Sequence, residues 1–255
     1  MVKSEQQRQR KLAKKRTKDI QKRKEITRQQ QALGSLAGKM QAAARGRVVY
    51  SGISSAISEV GIGHVVIARE APAGEIAVAV ILVDAYCLGV KDVFAAFRVP
   101  TEARELIDKL KVHGLRTASP GLARGLVEGA IEYARAIGFP PHADYRKVCP
   151  IWGDLPVEAI EGKFVFGRDG KPMYVNGPED GARQTHIHRT LEARLGPGNY
   201  HITVGGPSHD GNAFGFENFV IEDFDEDYDE DNDTDDWLAG SIDGEVIKRF
   251  DNPEA

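Results

Sequence analysis

Cysteine is almost absent from this chain, which has only Cys87 and Cys149 among its 255 residues. Two cysteines are too few for the disulfide framework of a small secreted domain, and their spacing does not form the Cys-x-x-Cys pattern of metal fingers and redox motifs. We therefore expect no disulfides and a reducing compartment, which is the cytoplasm.

The chain also lacks long apolar runs. No run reaches the roughly 18–20 residues of a transmembrane helix, and the first residues do not contain the apolar core of a secretory signal. The glycine-rich stretches lack the Gly-Lys-Ser/Thr ending of a phosphate-binding loop, and no Gly-x-Ser-x-Gly nucleophile motif occurs. These absences predict a soluble protein without a membrane partner and argue against P-loop and serine-hydrolase functions.

Charge is distributed very unevenly, although the formal net charge is only −4. Residues 1–47 contain 15 Lys and Arg against 3 Asp and Glu, whereas residues 217–236 contain 12 Asp and Glu and neither Lys nor Arg. The chain therefore has a basic N-terminal segment and an acidic C-terminal segment on either side of a stretch of mixed charge.

The basic segment, residues 1–47, is rich in helix-forming residues and has no proline. Its apolar positions are too sparse for a packed stripe, so we expect a helical or disordered extension that orders on a polyanion. The clusters RQRKLAKKR and KRK place cations on every face of a helix, a pattern that neutralises phosphates. A solvated extension without a partner and a membrane-surface segment are the alternatives. The expected phosphate contacts are Lys11, Lys14, Lys15, Arg16, Lys22, Arg23 and Lys24.

The acidic segment, residues 217–255, contains carboxylates at alternate positions, as a calcium-binding loop does. The glycine that such a loop requires is missing in every register, so we expect a solvated and largely disordered tail. A tail of this charge would compete with RNA for the basic segment of the same chain.

The stretch between the charged ends, residues 48–216, is predicted to be a globular core. From Gly61 the chain reads as a strand, a Pro/Gly turn and a longer strand that ends at Asp84. We also predict helices over residues 101–112, 120–137 and 181–195, a hairpin that turns at Asp169-Gly170, and a last strand within 196–206.

The helix predicted over residues 120–137 is the longest element of the core. Ser119 is expected to cap it, Pro120 suits its first position, and small and aliphatic residues recur at three- and four-residue spacing. A helix this apolar must pack on a sheet. The sequence thus predicts an α+β fold, in which a mixed or antiparallel sheet is packed by one long helix.

Three blocks, YCLGVKD (86–92), AIEYARAIGFPPHADY (130–145) and FGRDGKPMYVNGP (166–178), recur in this order in a family of uncharacterised bacterial proteins that this chain resembles. The resemblance covers roughly residues 60–205. It implies kinship and carries no activity, cofactor or site residue.

The block LVDAYCLGVKD ends a buried strand on two carboxylates and a thiol. Asp84 and Asp92 are candidates to converge with His142 and Asp144, and oxygen ligands of this kind suit Mg²⁺ or Mn²⁺ in a nuclease or phosphoesterase. The alternative is structural: Asp84 caps the turn after the strand, and Asp92 caps a short helix that begins VFAAF. Cys87 fits a small buried side chain better than a nucleophile.

Three more histidines, His186, His188 and His201, provide a second possible metal site, although positions two apart on a helix do not share a face. Taken together, these patterns favour a cytoplasmic RNA-binding or ribosome-associated protein without a resident cofactor. A metal-dependent nuclease or phosphoesterase and a protein-interaction adaptor are the two alternatives.

Overall fold

The structure is a computed structural model that describes residues 34–176 and 181–204. The chain divides into two units, residues 1–218 and 219–255, and every described residue lies in the first. The strands are β1 (Val48–Ser54), β2 (Ile62–Glu70), β3 (Ile76–Asp84), β4 (Gly89–Arg98), β5 (Leu115–Thr117), β6 (Met173–Asn176) and β7 (His201–Val204). The helices are α1 (Leu36–Ala43), α2 (Ala56–Val60), α3 (Pro100–Val112), α4 (Pro120–Ala136), α5 (Tyr145–Val148) and α6 (Gly181–Leu195).

Five strands form one antiparallel sheet in the order β4-β3-β2-β1-β5. β3 lies near its middle and is buried at all nine positions, because the run from Ile76 to Val83 offers only aliphatic and small side chains to both faces. β2 and β3 pair without interruption from Ile62↔Asp84 to Glu70↔Ile76. The α+β prediction is confirmed, and the sheet is antiparallel.

The long helix α4 packs on one face of this sheet, as predicted. Its N-terminus is capped by the Ser119 hydroxyl, which accepts a hydrogen bond from Leu122 N–H at 3.2 Å. The side chains of Leu126, Val127 and Ala130 are fully buried against the sheet. The amphipathic helix α3 contacts β3, β4 and β5. Both α3 and α4 therefore pack against the sheet. The short strand β5 forms one of its edges.

Helix α1 is part of the core, although it lies within the basic segment of residues 1–47. Ser35 caps the helix by accepting from Gly38 N–H at 3.2 Å, and the side chains of Met40 and Ala43 are fully buried. The helix contacts α5 and the 3₁₀ turn Cys149–Trp152. An experiment that removes the basic segment must therefore stop before Ser35 if it is to spare the core.

Arg69, near the end of β2, joins three separate parts of the chain. The residue is only 5% exposed, and its Nε donates to the Gly46 carbonyl at 3.0 Å. Its Nη1 donates to the Ile151 and Trp152 carbonyls at 3.0 and 3.2 Å. The buried guanidinium is thus satisfied by backbone oxygens of the loop after α1 and of the 3₁₀ turn.

Two local predictions are wrong. The residues after Asp92 continue strand β4 up to Arg98, so no helix begins at VFAAF. The turn at Asp169-Gly170 exists, with Arg168 and Lys171 bonded to each other through their backbones. However, β6 beyond that turn pairs in parallel with β7, and not with the segment before the turn.

Two further observations concern the environment of the protein. No helix within residues 34–176 and 181–204 combines the length and the apolar character that crossing a bilayer requires. Cys87 and Cys149 are both free thiols, and Cys87 is fully buried.

Candidate functional site

The turn after β3 is organised by Asp84, the first residue of the block DAYCLG. The Asp84 carboxylate Oδ1 accepts hydrogen bonds from Tyr86 N–H and Cys87 N–H, both at 3.0 Å. Gly89 completes the turn with φ +68°, and a Cβ atom there would lie 2.8 Å from the Ala134 Cβ of α4. The capping role predicted for Asp84 is confirmed.

The ionisation of Asp84 is a balance of two opposing effects. Burial raises the pKa of this carboxyl to about 6, while the backbone N–H groups of Leu88, Tyr86 and Cys87 oppose the rise, as does the Lys91 charge. Burial also raises the pKa of the Cys87 thiol, with a further contribution from the Asp84 charge. Cys87 is therefore a neutral, buried side chain at physiological pH and not a nucleophile.

Asp92 lies on the adjoining strand but is used differently. It is paired with Leu82 of β3, and its carboxylate accepts from Val93 N–H at 2.7 Å. β4 has an irregularity in its pairing just before this point, between Leu82 and Val83 of β3. The Asp92 carboxylate therefore holds the backbone of its own strand beyond the irregularity.

His142 and Asp144 lie together beyond the end of α4. His142 N–H donates to the Val90 carbonyl at 2.9 Å, which fixes this segment to the start of β4. The His142 Nδ1 is 3.8 Å from Asp144 Oδ2, and Asp144 Oδ1 is 2.8 Å from Lys147 Nζ. Asp144 is thus partly neutralised by a lysine rather than directed at a metal.

The expected convergence of Asp84, Asp92, His142 and Asp144 is not found. Within the two described ranges, no group of three or more His, Cys, Asp or Glu side chains is arranged to hold a metal ion. The same finding applies to His186 and His188, which lie two positions apart on α6, and to His201 on β7. These residues therefore give the nuclease alternative no geometric support.

A groove that the sequence did not reveal lies between α4 and the 3₁₀ turn, with a volume of about 710 Å³. Two of its four charged side chains are engaged in internal contacts: Arg124 Nε is 2.6 Å from Glu128 Oε1, and Arg124 Nη1 donates to the Gly153 and Leu155 carbonyls. Two other lining residues contact each other, since Trp152 Nε1–H donates to the Tyr145 hydroxyl at 3.2 Å. The groove is lined by Gln41, Arg124, Glu128, Ile131, Glu132, Arg135, Tyr145, Cys149, Pro150, Trp152 and Gly153.

This groove is lined by two arginines and two glutamates, so it has no excess of charge of one sign that would select an anion or a cation. The Cys149 thiol within it has a pKa raised mainly by burial, so it is not activated either. Only the Arg124–Glu128 spacing of four residues was visible in the sequence, and that spacing is common on helix surfaces.

The seven basic residues expected to contact phosphates, Lys11 to Lys24, lie outside the described residues. The positive charge of this segment continues into the described part at three exposed residues, Lys39, Arg45 and Arg47. Lys39 Nζ is 5.8 Å from the centre of the Phe97 ring, and Arg47 Nη2 is 2.6 Å from Glu70 Oε1. Three exposed cations, one of them paired with Glu70, therefore lie where the basic segment joins the core.

Comparison with known proteins adds no assignment, since no family model, curated protein or solved structure matches the chain.

Proposed function

We propose that this protein binds RNA in the cytoplasm, on the ribosome or elsewhere, through the phosphate backbone and by means of its basic N-terminal segment. The observation that carries the proposal is the segregation of charge, with 15 Lys and Arg against 3 Asp and Glu in residues 1–47. A segment of this composition gains binding free energy by releasing the counterions condensed on a polyanion.

The attachment of the segment to the core supports the same proposal. Residues 1–33 lead directly into α1, whose buried Met40 and Ala43 fix it against the core. The cations are therefore tethered at one end to a defined surface, where exposed Lys39 and Arg45 extend the positive charge. Phosphates bound by the segment would be held next to that surface.

The test is a charge-neutralised full-length chain and not a deletion, because deletion of residues 1–47 would remove α1 and the loop that Arg69 binds. In the test variant, glutamine replaces Lys11, Lys14, Lys15, Arg16, Lys22, Arg23 and Lys24. Glutamine keeps the helix propensity and the length while removing the charge. Affinity for a single-stranded RNA is measured by fluorescence anisotropy at several salt concentrations.

We expect the neutralised variant to lose affinity and salt dependence together. Each lost phosphate contact lowers the slope of log K against log salt by about 0.7, so seven contacts lower it by about 5. The matched control replaces seven exposed core cations by glutamine: Arg104, Lys109, Arg116, Arg135, Arg146, Lys163 and Arg168.

The control variant is expected to bind as the wild type does, with a small change in slope from the loss of general positive charge. Equal binding by the wild type and the N-terminal variant would contradict the proposal. So would a loss in the control variant as large as that in the N-terminal one.

A further inference from the structure

Strand β4 lies at the edge of the five-stranded sheet, and the described strands bond to it only through β3. From Asp92 to Arg98 its pairing with β3 is regular, running from Leu82↔Asp92 to Ile76↔Arg98. The five residues between these charges, Val93 to Phe97, are all apolar. A regular edge of this length without an internal charge lacks a common protection against pairing with another strand.

The start of β4 is covered, which limits where a new strand can add. His142 N–H donates to the Val90 carbonyl at 2.9 Å, so the segment after α4 lies along the first residues of the strand. The edge that no described strand or segment pairs with is the seven-residue stretch Asp92–Arg98, in which every residue except Ala96 is partly exposed. We refer to this stretch as the β4 edge.

The sequence of the β4 edge is complementary to itself in one antiparallel register. If two copies pair about an axis at Ala95, Asp92 of each copy lies opposite Arg98 of the other, and Val93 lies opposite Phe97. Opposite charges and aromatic with β-branched residues are favourable cross-strand pairs. Small Ala95 residues meet at the axis, where bulky side chains would be most crowded.

Neighbouring registers lose this match. In an antiparallel pair related by a two-fold axis, two opposite residues have the same hydrogen-bonding orientation. The axis therefore lies at a residue and not between two residues, so each alternative register is centred on a different residue. Centred one residue earlier, Asp92 lies opposite Ala96 and Arg98 lies beyond the paired stretch. Centred one residue later, Asp92 has no opposite residue within the β4 edge. Only the register at Ala95 uses the full stretch and joins both unlike charges.

We propose that the β4 edge is a homodimer interface, at which a second copy of this chain adds antiparallel to β4 and makes a continuous ten-stranded sheet. The interface is isologous, because one patch pairs with itself. It is independent of the RNA-binding proposal, which concerns the N-terminal segment. On pairing, the Asp92 carboxylate exchanges its contact with Val93 N–H for the partner's guanidinium.

The test uses charge reversal and its rescue. Arg98→Asp places two carboxylates opposite each other on both sides of the axis, and Asp92→Arg places two guanidiniums there. The combined variant, Asp92→Arg with Arg98→Asp, restores the unlike pairs in reversed order. Arg104→Asp, on the exposed surface of α3, is the control for a change of net charge.

Dimerisation is measured by sedimentation equilibrium on nuclease-treated full-length protein at low salt. We expect the wild type and the Arg104→Asp control to dimerise alike, and each single reversal to weaken the dimer about tenfold. The combined variant is expected to recover the wild-type dissociation constant. Circular dichroism of every variant separates loss of the dimer from loss of the fold.

Three outcomes would overturn the proposal. The first is a wild type that stays monomeric at the highest concentration reached. The second is a dimer that folded single-reversal variants leave unchanged, which would place the contact elsewhere on the molecule. The third is a folded combined variant that does not recover the dimer, because the register at Ala95 requires recovery.

Discussion

The two ends of the β2–β3 hairpin each bury a charged side chain, and they do so with opposite chemistry. At one end the Arg69 guanidinium donates to three backbone carbonyls. At the other end the Asp84 carboxylate accepts from the backbone N–H groups of the turn. Among the described residues, neither buried charge lies in an ion pair of 4 Å or less, so backbone dipoles supply most of the compensation for lost hydration.

The difference lies in how each end responds to pH. Burial lowers the pKa of Arg69, partly offset by Asp154, but a guanidinium remains charged under all physiological conditions. Burial raises the pKa of Asp84 to about 6, so this end gains or loses a charge near neutral pH. His64 lies at the same end, and burial together with the His113 charge lowers its pKa to about 4. One end of the hairpin is thus insensitive to pH, and the other carries two groups that titrate.

The largest loss of stability is expected when the Arg69 guanidinium is removed. Arg69→Met keeps an unbranched side chain but leaves the Gly46, Ile151 and Trp152 carbonyls without their donor, and we expect a loss of about 4 kcal/mol in the free energy of unfolding. Urea denaturation followed by circular dichroism measures it. Arg47→Met is the matched control, since its exposed pair with Glu70 is worth about 0.5 kcal/mol. Equal losses in the two variants would show that Arg69 does not join these segments.

A somewhat smaller effect is expected at the Asp84 end. Asp84→Ala leaves the N–H groups of Tyr86 and Cys87 buried without an acceptor, which should lower the unfolding free energy by about 3 kcal/mol at neutral pH. Asp84→Asn keeps an acceptor and removes the buried charge, so its loss should be about 1 kcal/mol or less. Urea denaturation of both variants provides the measurement. An asparagine variant as unstable as the alanine variant would contradict the capping role.

The smallest effect is expected in the pH dependence of the unfolding free energy, to which Asp84 and His64 contribute in opposite directions. Because the pKa of Asp84 is raised, its contribution to stability is full below its ordinary pKa of 3.8 and is lost as pH rises through 6. Because the pKa of His64 is lowered, its contribution is full above 6.5 and is lost as pH falls through 4. In the wild type these trends oppose each other over the same interval, so stability should change little there.

Removing either group should reveal the other. From about pH 7 to pH 5, Asp84→Asn should lose about 1.5 kcal/mol of unfolding free energy, and His64→Gln should gain about the same amount. Urea denaturation at several pH values measures both slopes, and the wild type serves as the reference. Slopes of the same sign in the two variants would contradict the assignment of opposite titrations.

Local signals in the sequence were sufficient for some elements and not for others. The Ser119-Pro120 start and the apolar spacing of α4 are properties of the helix itself, and the prediction was close to the observed Pro120–Ala136. The strand end at Asp84 is equally local, because the cap and its N–H donors lie within three residues. Both predictions depended on neighbours along the chain, and the structure confirms both.

Predictions failed where the deciding contact was distant in sequence. The residues VFAAF are extended because they pair with β3, and this pairing overrides a possible cap at Asp92. β6 pairs in parallel with β7 across α6, a partner that the turn at Asp169-Gly170 does not indicate. The metal-site hypothesis also depended on distant contacts, since it required four side chains from separate segments to point at one place. Within the described residues, no group of three or more His, Cys, Asp or Glu is arranged in this way. Alternation and turn residues identify an element but not its partner.

The hydrogen bonds of Arg69 also indicate when, during synthesis, helix α1 becomes fixed to the core. α1 and the loop at Gly46 are made early, yet the contacts that fix them are completed by Tyr145–Trp152, about a hundred residues later in the chain. Since a nascent chain emerges from its N-terminus, the basic segment leaves the ribosome well before the core can hold its anchor helix. During that interval its cations belong to an incompletely folded chain that lies next to the ribosome, which is a large polyanion. Only when the Arg69 contacts have formed is the basic segment attached to a folded core.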